Sequence, residues 1–303
     1  MKVFTILIIF FSINFGFSQN KEYKSLTDAL GDSSNVLWLT LECSELKNFD
    51  KNIEMFPNLE SLYIKDCDLS ALPKSIGKLS KLKLLNISGN QLKNLPRQLA
   101  TNKQLKVLNI RNNKLKTIPE WLGDFEKLRE VDLTDNDQVD FVKAIDVLGQ
   151  IGKLDFLYLS SNGLVTLPEN ISKLKFLEEL HLDDNSELNF TNAFLTLAQI
   201  ENLRILNLAN NKLVSIPHQF QNLNGLKGVV LDNNAGLDLE ILENHCQNLR
   251  LDVLLLRDCR ITNLPNNLTG FQNLKEFDLS QNKISKEEQT RIKSELDNTN
   301  VIF

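Results

Sequence analysis

The chain has 303 residues, of which 42% are hydrophobic and 24% charged, so it can bury a large core and is not compositionally disordered. Its formal net charge of −5 argues against a general nucleic-acid binder, because such proteins normally carry a basic excess along one face. No phosphate loop, G-x-S-x-G or H-E-x-x-H motif occurs and the histidines are scattered, so we predict neither catalysis nor a resident cofactor or metal.

The first 18 residues are predicted to form a cleaved signal peptide. Lys2 precedes an apolar run over residues 3–13, and Gly16 and Ser18 supply the small side chains that a cleavage site needs. The alternative is an uncleaved anchor, but the run is shorter than the ~20 residues that span a bilayer. We therefore expect the mature chain to start at Gln19, to carry no membrane span and to be secreted, periplasmic or held at the cell surface.

One pattern, L-x-x-L-x-L-x-x-N-x-L-x-x-L-P, recurs along the rest of the chain, mostly with a period of 23 residues. Its first position falls at Val36, Leu59, Leu82, Leu105, Leu128, Leu154, Leu177, Leu203, Leu226, Leu251 and Leu274. Self-similarity at a fixed period of this length is the signature of a repeat architecture in which each turn packs on its neighbours.

Each residue type in the pattern predicts a structural role. The L-x-L pair alternates with period two, which indicates a short strand with its leucines inward. The Asn, for example Asn113, is predicted to point inward and to bond backbone groups of adjacent turns, whereas Asn112 points outward. The Leu-Pro step closes the core from the other side. The predicted fold is an α/β solenoid, curved and right-handed, with a parallel sheet on its concave face and irregular or helical segments on its convex face.

Three repeats depart from the pattern in the same way. After Asn136, Asn185 and Asn234 the Leu-Pro step is missing. Longer segments with helical apolar spacing replace it, at residues 142–151, 193–200 and 239–247. These long repeats alternate with regular ones, which indicates duplication of a two-repeat module.

The ends of the array need helical caps, because an open solenoid exposes its core. Ser25 is predicted to start a helix over residues 26–30, and Ser285 one over residues 286–296. The predicted organisation is therefore a signal peptide (1–18), an N-terminal cap (19–35), about eleven repeats (36–284) and a C-terminal cap (285–303).

The repeat resembles that of the leucine-rich-repeat superfamily, especially the 23-residue L-P-x-x-I/L type found in bacterial secreted proteins and in Ras-scaffold proteins. Residues 25–30, which precede the strand after Val36, resemble the N-terminal cap of bacterial members. The resemblance implies a protein that binds its ligand through the concave face.

The outward positions of three consecutive repeats, starting at Leu128, Leu154 and Leu177, form the predicted ligand surface. They hold nine acidic residues and one basic residue, a net charge of −8. The predicted binding residues are Glu130, Asp132, Asp135, Phe156, Tyr158, Glu179, His181, Asp183 and Asp184, together with Tyr63 and Trp38 nearer the front. We predict a protein or peptide partner that presents basic groups, held by aromatic anchors and attracted by the acids.

Two alternatives for this surface remain open. The acids could only solubilise the sheet face, or the aromatic side chains could stack on a glycan or wall polymer, which would make the chain an adhesion protein. Calcium bound by Asp132, Asp135, Glu179 and Asp183 is disfavoured, because no D-x-D-x-D-G loop is present. His181 is expected to titrate near its reference pKa of ~6.5, so that acidification weakens capture of a cationic partner.

The four cysteines show no metal-binding spacing. Cys67 and Cys259 occupy the Asn position, where we predict small, buried, weak hydrogen-bond donors. A bridge between Cys43 and Cys67 is an open alternative, although strand alternation would place these side chains on opposite faces. Asn-x-Ser/Thr sequons, which matter only in a eukaryotic secretory route, start at Asn86, Asn170, Asn189 and Asn267.

Overall fold

The structure is a computed structural model that describes residues 21–303. The predicted signal peptide and its cleavage before Gln19 lie outside the described residues. The described chain divides into two compact units, one that ends at Asn162 and one that runs from Gly163 to Phe303. We call them the first unit and the second unit.

Short parallel strands, one for each turn of the chain, make up the sheet of each unit. Those described in the first unit are β1 (Glu22–Tyr23), β2 (Trp38–Thr40), β3 (Ser61–Tyr63), β4 (Leu84–Asn86), β5 (Val107–Asn109), β6 (Glu130–Asp132) and β7 (Phe156–Tyr158). Those of the second unit are β8 (Glu179–His181), β9 (Ile205–Asn207), β10 (Gly228–Val230), β11 (Val253–Leu255), β12 (Glu276–Asp278) and β13 (Asn300–Ile302). Within each unit every strand pairs in parallel with the next strand along the chain.

Parallel strands need a crossover, and the Leu-Pro step supplies it. Five of the prolines directly precede a short 3-10 helix, which suits a residue with a fixed φ and no N–H. These helices are Lys74–Lys78, Arg97–Thr101, Glu120–Asp124, Glu169–Lys173 and His218–Asn222, and further 3-10 turns lie at Ser33–Asn35, Cys43–Glu45, Ile53–Met55 and Thr269–Phe271. The apolar residue after the Leu-Pro step, such as Leu99 or Phe220, is completely buried and closes the core as predicted.

The predicted helices are present. The α-helices described are α1 (Leu26–Leu30), α2 (Leu46–Asn52), α3 (Phe141–Leu148), α4 (Phe190–Leu197), α5 (Leu239–Cys246) and α6 (Lys286–Glu295). Both predicted terminal helices form, with Ser25 and Ser285 as N-cap residues that accept a hydrogen bond from the N–H three residues on. The helices α3 and α4 begin one and three residues earlier than apolar spacing predicted, at positions set by the capping side chains of Asp140 and Asn189.

The Asn positions form hydrogen-bonded ladders inside each unit, as predicted. In the first unit, Nδ2 of Asn113 donates to the carbonyls of Ile87 (3.1 Å) and Ile110 (2.9 Å), while its Oδ1 accepts from the N–H of Leu92 at 3.1 Å. In the second unit, Asn234 is fully buried and its Oδ1 accepts from two backbone N–H groups. These amides therefore satisfy buried backbone groups that the strand ladder does not reach.

Cys67 is not the free, buried donor that the sequence predicted, because it forms a disulfide with Cys43 across adjacent turns, with Cα atoms 5.1 Å apart. The expectation of opposite faces was wrong for a physical reason. Strand β2 ends at Thr40, and Cys43 already lies in a 3-10 turn, so strand alternation does not govern its direction. Asp66, just before Cys67, has a positive φ of 54°, which turns the partner strand out of alternation as well.

The other predicted cysteine position is confirmed. Cys259 is a free, buried thiol whose Sγ lies 3.3 Å from the carbonyl oxygen of Leu231, where an Asn amide would donate. Burial raises the pKa of Cys259 to about 11 and that of the buried Cys246 to about 12. Both thiols therefore stay protonated and unreactive at neutral pH.

Candidate functional site

Strand side chains that alternate with the core residues point away from the core and form what we call the sheet face of each unit. This surface corresponds to the concave face predicted from the sequence. On the first unit, its two columns run through Trp38, Ser61, Leu84, Val107, Glu130 and Phe156, and through Thr40, Tyr63, Asn86, Asn109, Asp132 and Tyr158.

The predicted aromatic residues lie at the two ends of this sheet face. Trp38 and Tyr63 are adjacent, with ring centroids 5.7 Å apart and planes tilted by 33°. Phe156 and Tyr158 both point outward from β7 and are half-buried. Burial, together with the negative charges of Glu22 and Glu130, raises the pKa of Tyr63, so its hydroxyl remains a neutral donor. The apolar side chains of Leu84 and Val107 continue the surface between the two aromatic groups.

The acidic residues predicted for the same face are less accessible than the sequence suggested. Glu130 is 7% exposed and Asp132 is 9% exposed. Asp132 accepts hydrogen bonds from Nδ2 of Asn109 (2.8 Å) and from the N–H of Thr134 (2.9 Å). Asp135 is exposed, in a left-handed backbone conformation with φ 55°. Two of the predicted acidic residues on the first unit are therefore buried, and Asp132 is engaged in local hydrogen bonds.

In the second unit, Glu179, His181 and Asp183 form a compact charged group on the sheet face. Glu179 and His181 are buried, and Nε2 of His181 lies 2.6 Å from Oε1 of Glu179. Nδ1 of His181 lies 3.8 Å from Oδ1 of Asp183 and 3.1 Å from Nδ2 of Asn207. Burial opposes the imidazolium, but hydrogen bonds and negative charge from Asp183 and Glu179 outweigh this effect on the pKa of His181. The pKa of His181 is raised to about 9, so the expected titration near 6.5 is corrected.

This shift predicts how stability depends on pH. Because the pKa of His181 is higher in the folded state, its contribution is fully present below the unfolded value of about 6.5 and is lost as pH rises to about 9. Between these pH values the free energy of unfolding of the wild type should fall by about 1–3 kcal/mol. In His181→Gln this fall should be absent. Denaturant unfolding at pH 6 and pH 9.5 measures it, with the exposed His218→Gln as control. Parallel pH profiles for His181→Gln and the wild type would show that His181 is neutral in the folded protein.

Sequence reasoning missed an apolar group on the sheet face of the second unit. Val230, Val253 and Leu255 pack together and are between 3% and 7% exposed, with Ala209 against them. The signal was present, because the strands β10 and β11 read Gly-Val-Val and Val-Leu-Leu, which lack the polar residues expected at outward positions. A search for charged outward residues does not detect an apolar group of this kind.

Two general features of residues 21–303 bear on function. Within that range no helix has the length and apolar character needed to cross a bilayer. The same residues contain no group of three or more His, Cys, Asp and Glu side chains placed to hold a metal ion.

The family models that match this chain agree with the repeat architecture. A family described as "Leucine-rich repeat region" matches residues 32–157, and one described as "Leucine Rich Repeat" matches residues 153–174 and 202–223. Among solved structures, a leucine-rich-repeat protein of Leptospira interrogans is 23% identical, with 93% of this chain and 100% of that chain covered and a TM-score of 0.45. No curated protein matches the chain.

Turn-by-turn parallel strands, Asn ladders and short crossovers define a solenoid repeat protein, a class whose members generally bind other proteins. This chain belongs to the leucine-rich-repeat superfamily.

Proposed function

We propose that the protein is an extracytoplasmic binding module that holds a protein or peptide partner on its sheet face and is not an enzyme. The observation that carries the proposal is the apolar and aromatic surface on the outer side of the first unit's sheet. Trp38, Tyr63, Phe156 and Tyr158 remain half-buried there, although the core on the other side is already filled. Large rigid aromatic side chains at such positions are typical binding anchors.

An oxidising compartment fits this proposal. The predicted signal peptide would deliver the chain outside the cytoplasm, with Gln19 as the mature N-terminus. The bridge between Cys43 and Cys67 supports the same location, because structural disulfides persist mainly in secreted and periplasmic proteins. Mass spectrometry of protein exported by the native host tests it. Recovery of a membrane-bound chain that retains residues 1–18 would contradict it.

The exposed acidic residues favour a partner that presents basic groups. Asp135 on the first unit and Asp184 on the second unit are exposed, and Asp183 is half-buried. Basic groups of a partner would be attracted to these carboxylates, and the attraction would weaken as salt rises. Because Glu130, Asp132 and Glu179 are buried, they are expected to position neighbouring side chains rather than to pair directly with a cation.

We expect Tyr158→Ala to weaken equilibrium binding of a captured partner by about 1–3 kcal/mol, the range for a hot-spot side chain. Asp135→Asn with Asp184→Asn should slow association mainly at low salt and leave the dissociation rate nearly unchanged. Surface plasmon resonance with a partner isolated from the exported fraction measures both effects. The control is Trp121→Ala, in the 3-10 helix Glu120–Asp124 across the core. A loss of affinity confined to Trp121→Ala would place the binding surface on the helical side instead.

A glycan is the second candidate, favoured by one detail at the Trp38–Tyr63 pair. In the described part of the chain, no group hydrogen-bonds to Nε1 of Trp38 or to Oγ of Ser61, although both atoms are buried. A sugar offers hydroxyls for such groups and a C–H face for the rings. Binding on a glycan array that is lost in Trp38→Ala but kept in Phe156→Ala would favour this candidate over a protein partner.

A further inference from the structure

The residue immediately before each strand forms a charged row along one rim of the first unit's sheet face. Glu60, Lys83, Lys106, Arg129 and Asp155 occupy this position in consecutive turns. Their backbones are stacked by direct hydrogen bonds, with each N–H donating to the carbonyl of the preceding member at 2.7–2.9 Å. We call these five residues the charge ladder. With a strand spacing of about 4.8 Å, its three cations line up over about 10 Å.

The ladder is closed at both ends by carboxylates. Nζ of Lys83 lies 2.5 Å from Oε1 of Glu60, and Arg129 pairs with the buried carboxylate of Asp155. Lys106 lies in the middle, between two like charges. Burial lowers the pKa of Lys106, and the charges of Lys83, Lys127 and Arg129 lower it further. The side chains of Lys83 and Arg129 are 33% and 45% exposed, so the row can be reached from solvent.

The second unit shows that the repeat does not require such a row. There the same position holds Glu178, Arg204, Lys227, Asp252 and Lys275, linked by the same backbone hydrogen bonds. In this row no more than two cations, Arg204 and Lys227, follow one another. Nζ of Lys275 pairs with Asp252 at 3.2 Å. Three consecutive cations are thus a feature of the first unit and not a consequence of the fold.

We propose that the charge ladder binds a short acidic segment of the partner, with two or three carboxylates set against Lys83, Lys106 and Arg129. This rests on the proposed function, since it takes the partner to be a protein or peptide. The length of the row favours a short segment, because the ladder offers only three consecutive cations and ends in a carboxylate on either side. A net charge of −5 further disfavours a long polyanion. The partner would then carry both acidic and basic groups.

The test uses a defined probe instead of the native partner. A fluorescent peptide with three consecutive Glu residues in a Gly-Ser background is titrated with the mature protein. Two matched peptides carry Gln or Lys in place of Glu. Anisotropy is measured at 0.01 M and 0.15 M ionic strength, where the Debye length is about 30 Å and 8 Å. The proposal expects the Glu peptide alone to bind, more tightly at low salt.

Variants locate the binding. Lys106→Glu makes the ladder alternate in sign and should weaken the Glu peptide by about fivefold or more, since an attraction is replaced by a repulsion. Lys106→Gln should give a smaller loss. Lys227→Glu, at the matching position of the second unit, should change binding by less than about twofold. Circular dichroism confirms that each variant is folded.

The possible outcomes separate the claims. Equal binding of the Glu peptide by the wild type and Lys106→Glu, or an equal loss in Lys227→Glu, would overturn the ladder proposal. Tighter binding of inorganic polyphosphate than of the Glu peptide, with the same dependence on Lys106, would overturn its assignment to an acidic peptide. Failure to capture any protein partner from the host would count against the proposed function, while the peptide result would still decide whether the ladder binds carboxylates.

Discussion

Replacing Cys43 and Cys67 together by serine is expected to lower the free energy of unfolding by about 3 kcal/mol. The bridge spans a sequence separation of 24 residues, and closing a loop of this size restricts the unfolded chain by about that amount. The effect should be large, because these residues join the first turns of the array, next to the N-terminal cap. Guanidinium unfolding monitored by circular dichroism measures it.

Reduction of the wild type provides the matched control, since it breaks the same bond without a substitution. Its unfolding midpoint should fall to that of the double-serine variant, and the variant should not respond to reductant. If the oxidised wild type and the variant unfold at the same denaturant concentration, the two cysteines are not bridged in the folded protein. The proposed extracytoplasmic location would then lose the support of the disulfide.

Asn113→Ala is expected to destabilise the first unit by about 1–3 kcal/mol. The amide bonds the N–H of Leu92 and the carbonyls of Ile87 and Ile110, which belong to adjacent turns. Alanine leaves the buried N–H of Leu92 without its partner, which costs about 1–3 kcal/mol. The two carbonyls each lose one donor but keep another, because the amides of Asn90 and Asn136 also donate to Ile87 and Ile110. Chemical denaturation of the variant and the wild type under identical conditions measures the difference.

The choice of control matters, because the neighbouring residue is not neutral. Asn112 points outward as predicted, but its φ is 48°, a left-handed conformation that alanine adopts at a cost of about 1 kcal/mol. Lys114→Ala is the better control, since Lys114 is exposed and should change stability by less than about 0.5 kcal/mol. If the unfolding midpoint of Asn113→Ala equals that of Lys114→Ala, the Asn ladder does not stabilise that turn.

The periodic part of the fold could be predicted from the sequence, because period-two strands, inward Asn residues and Leu-Pro crossovers each follow from local chemistry repeated many times. The disulfide could not. The geometry of the disulfide depends on the backbone, which leaves strand β2 at Thr40 and turns at Asp66. No residue pattern near Cys43 indicates where the strand alternation ends.

The sequence predicts where the candidate surface lies better than it predicts which of its side chains are exposed. Outward positions follow from alternation, so Trp38, Tyr63, Phe156 and Tyr158 lie on the sheet face as expected. Exposure depends on neighbouring turns, which a single repeat does not show. Asn109 covers and binds Asp132 from the preceding strand, and the sequence alone treats that carboxylate as free charge. The same limitation concealed the charge ladder, whose consecutive members are 23–26 residues apart in the chain and adjacent only after folding.

Site-specific photocrosslinking in the native host tests the central claim, that the sheet face holds a protein partner, most directly. A crosslinking amino acid replaces Tyr158 on strand β7 in one sample and Val142 in another, where the side chain is 57% exposed on helix α3. The account predicts a crosslinked protein from position 158 and none from position 142. Crosslinks from position 142 alone would contradict it and assign partner binding to the helical side.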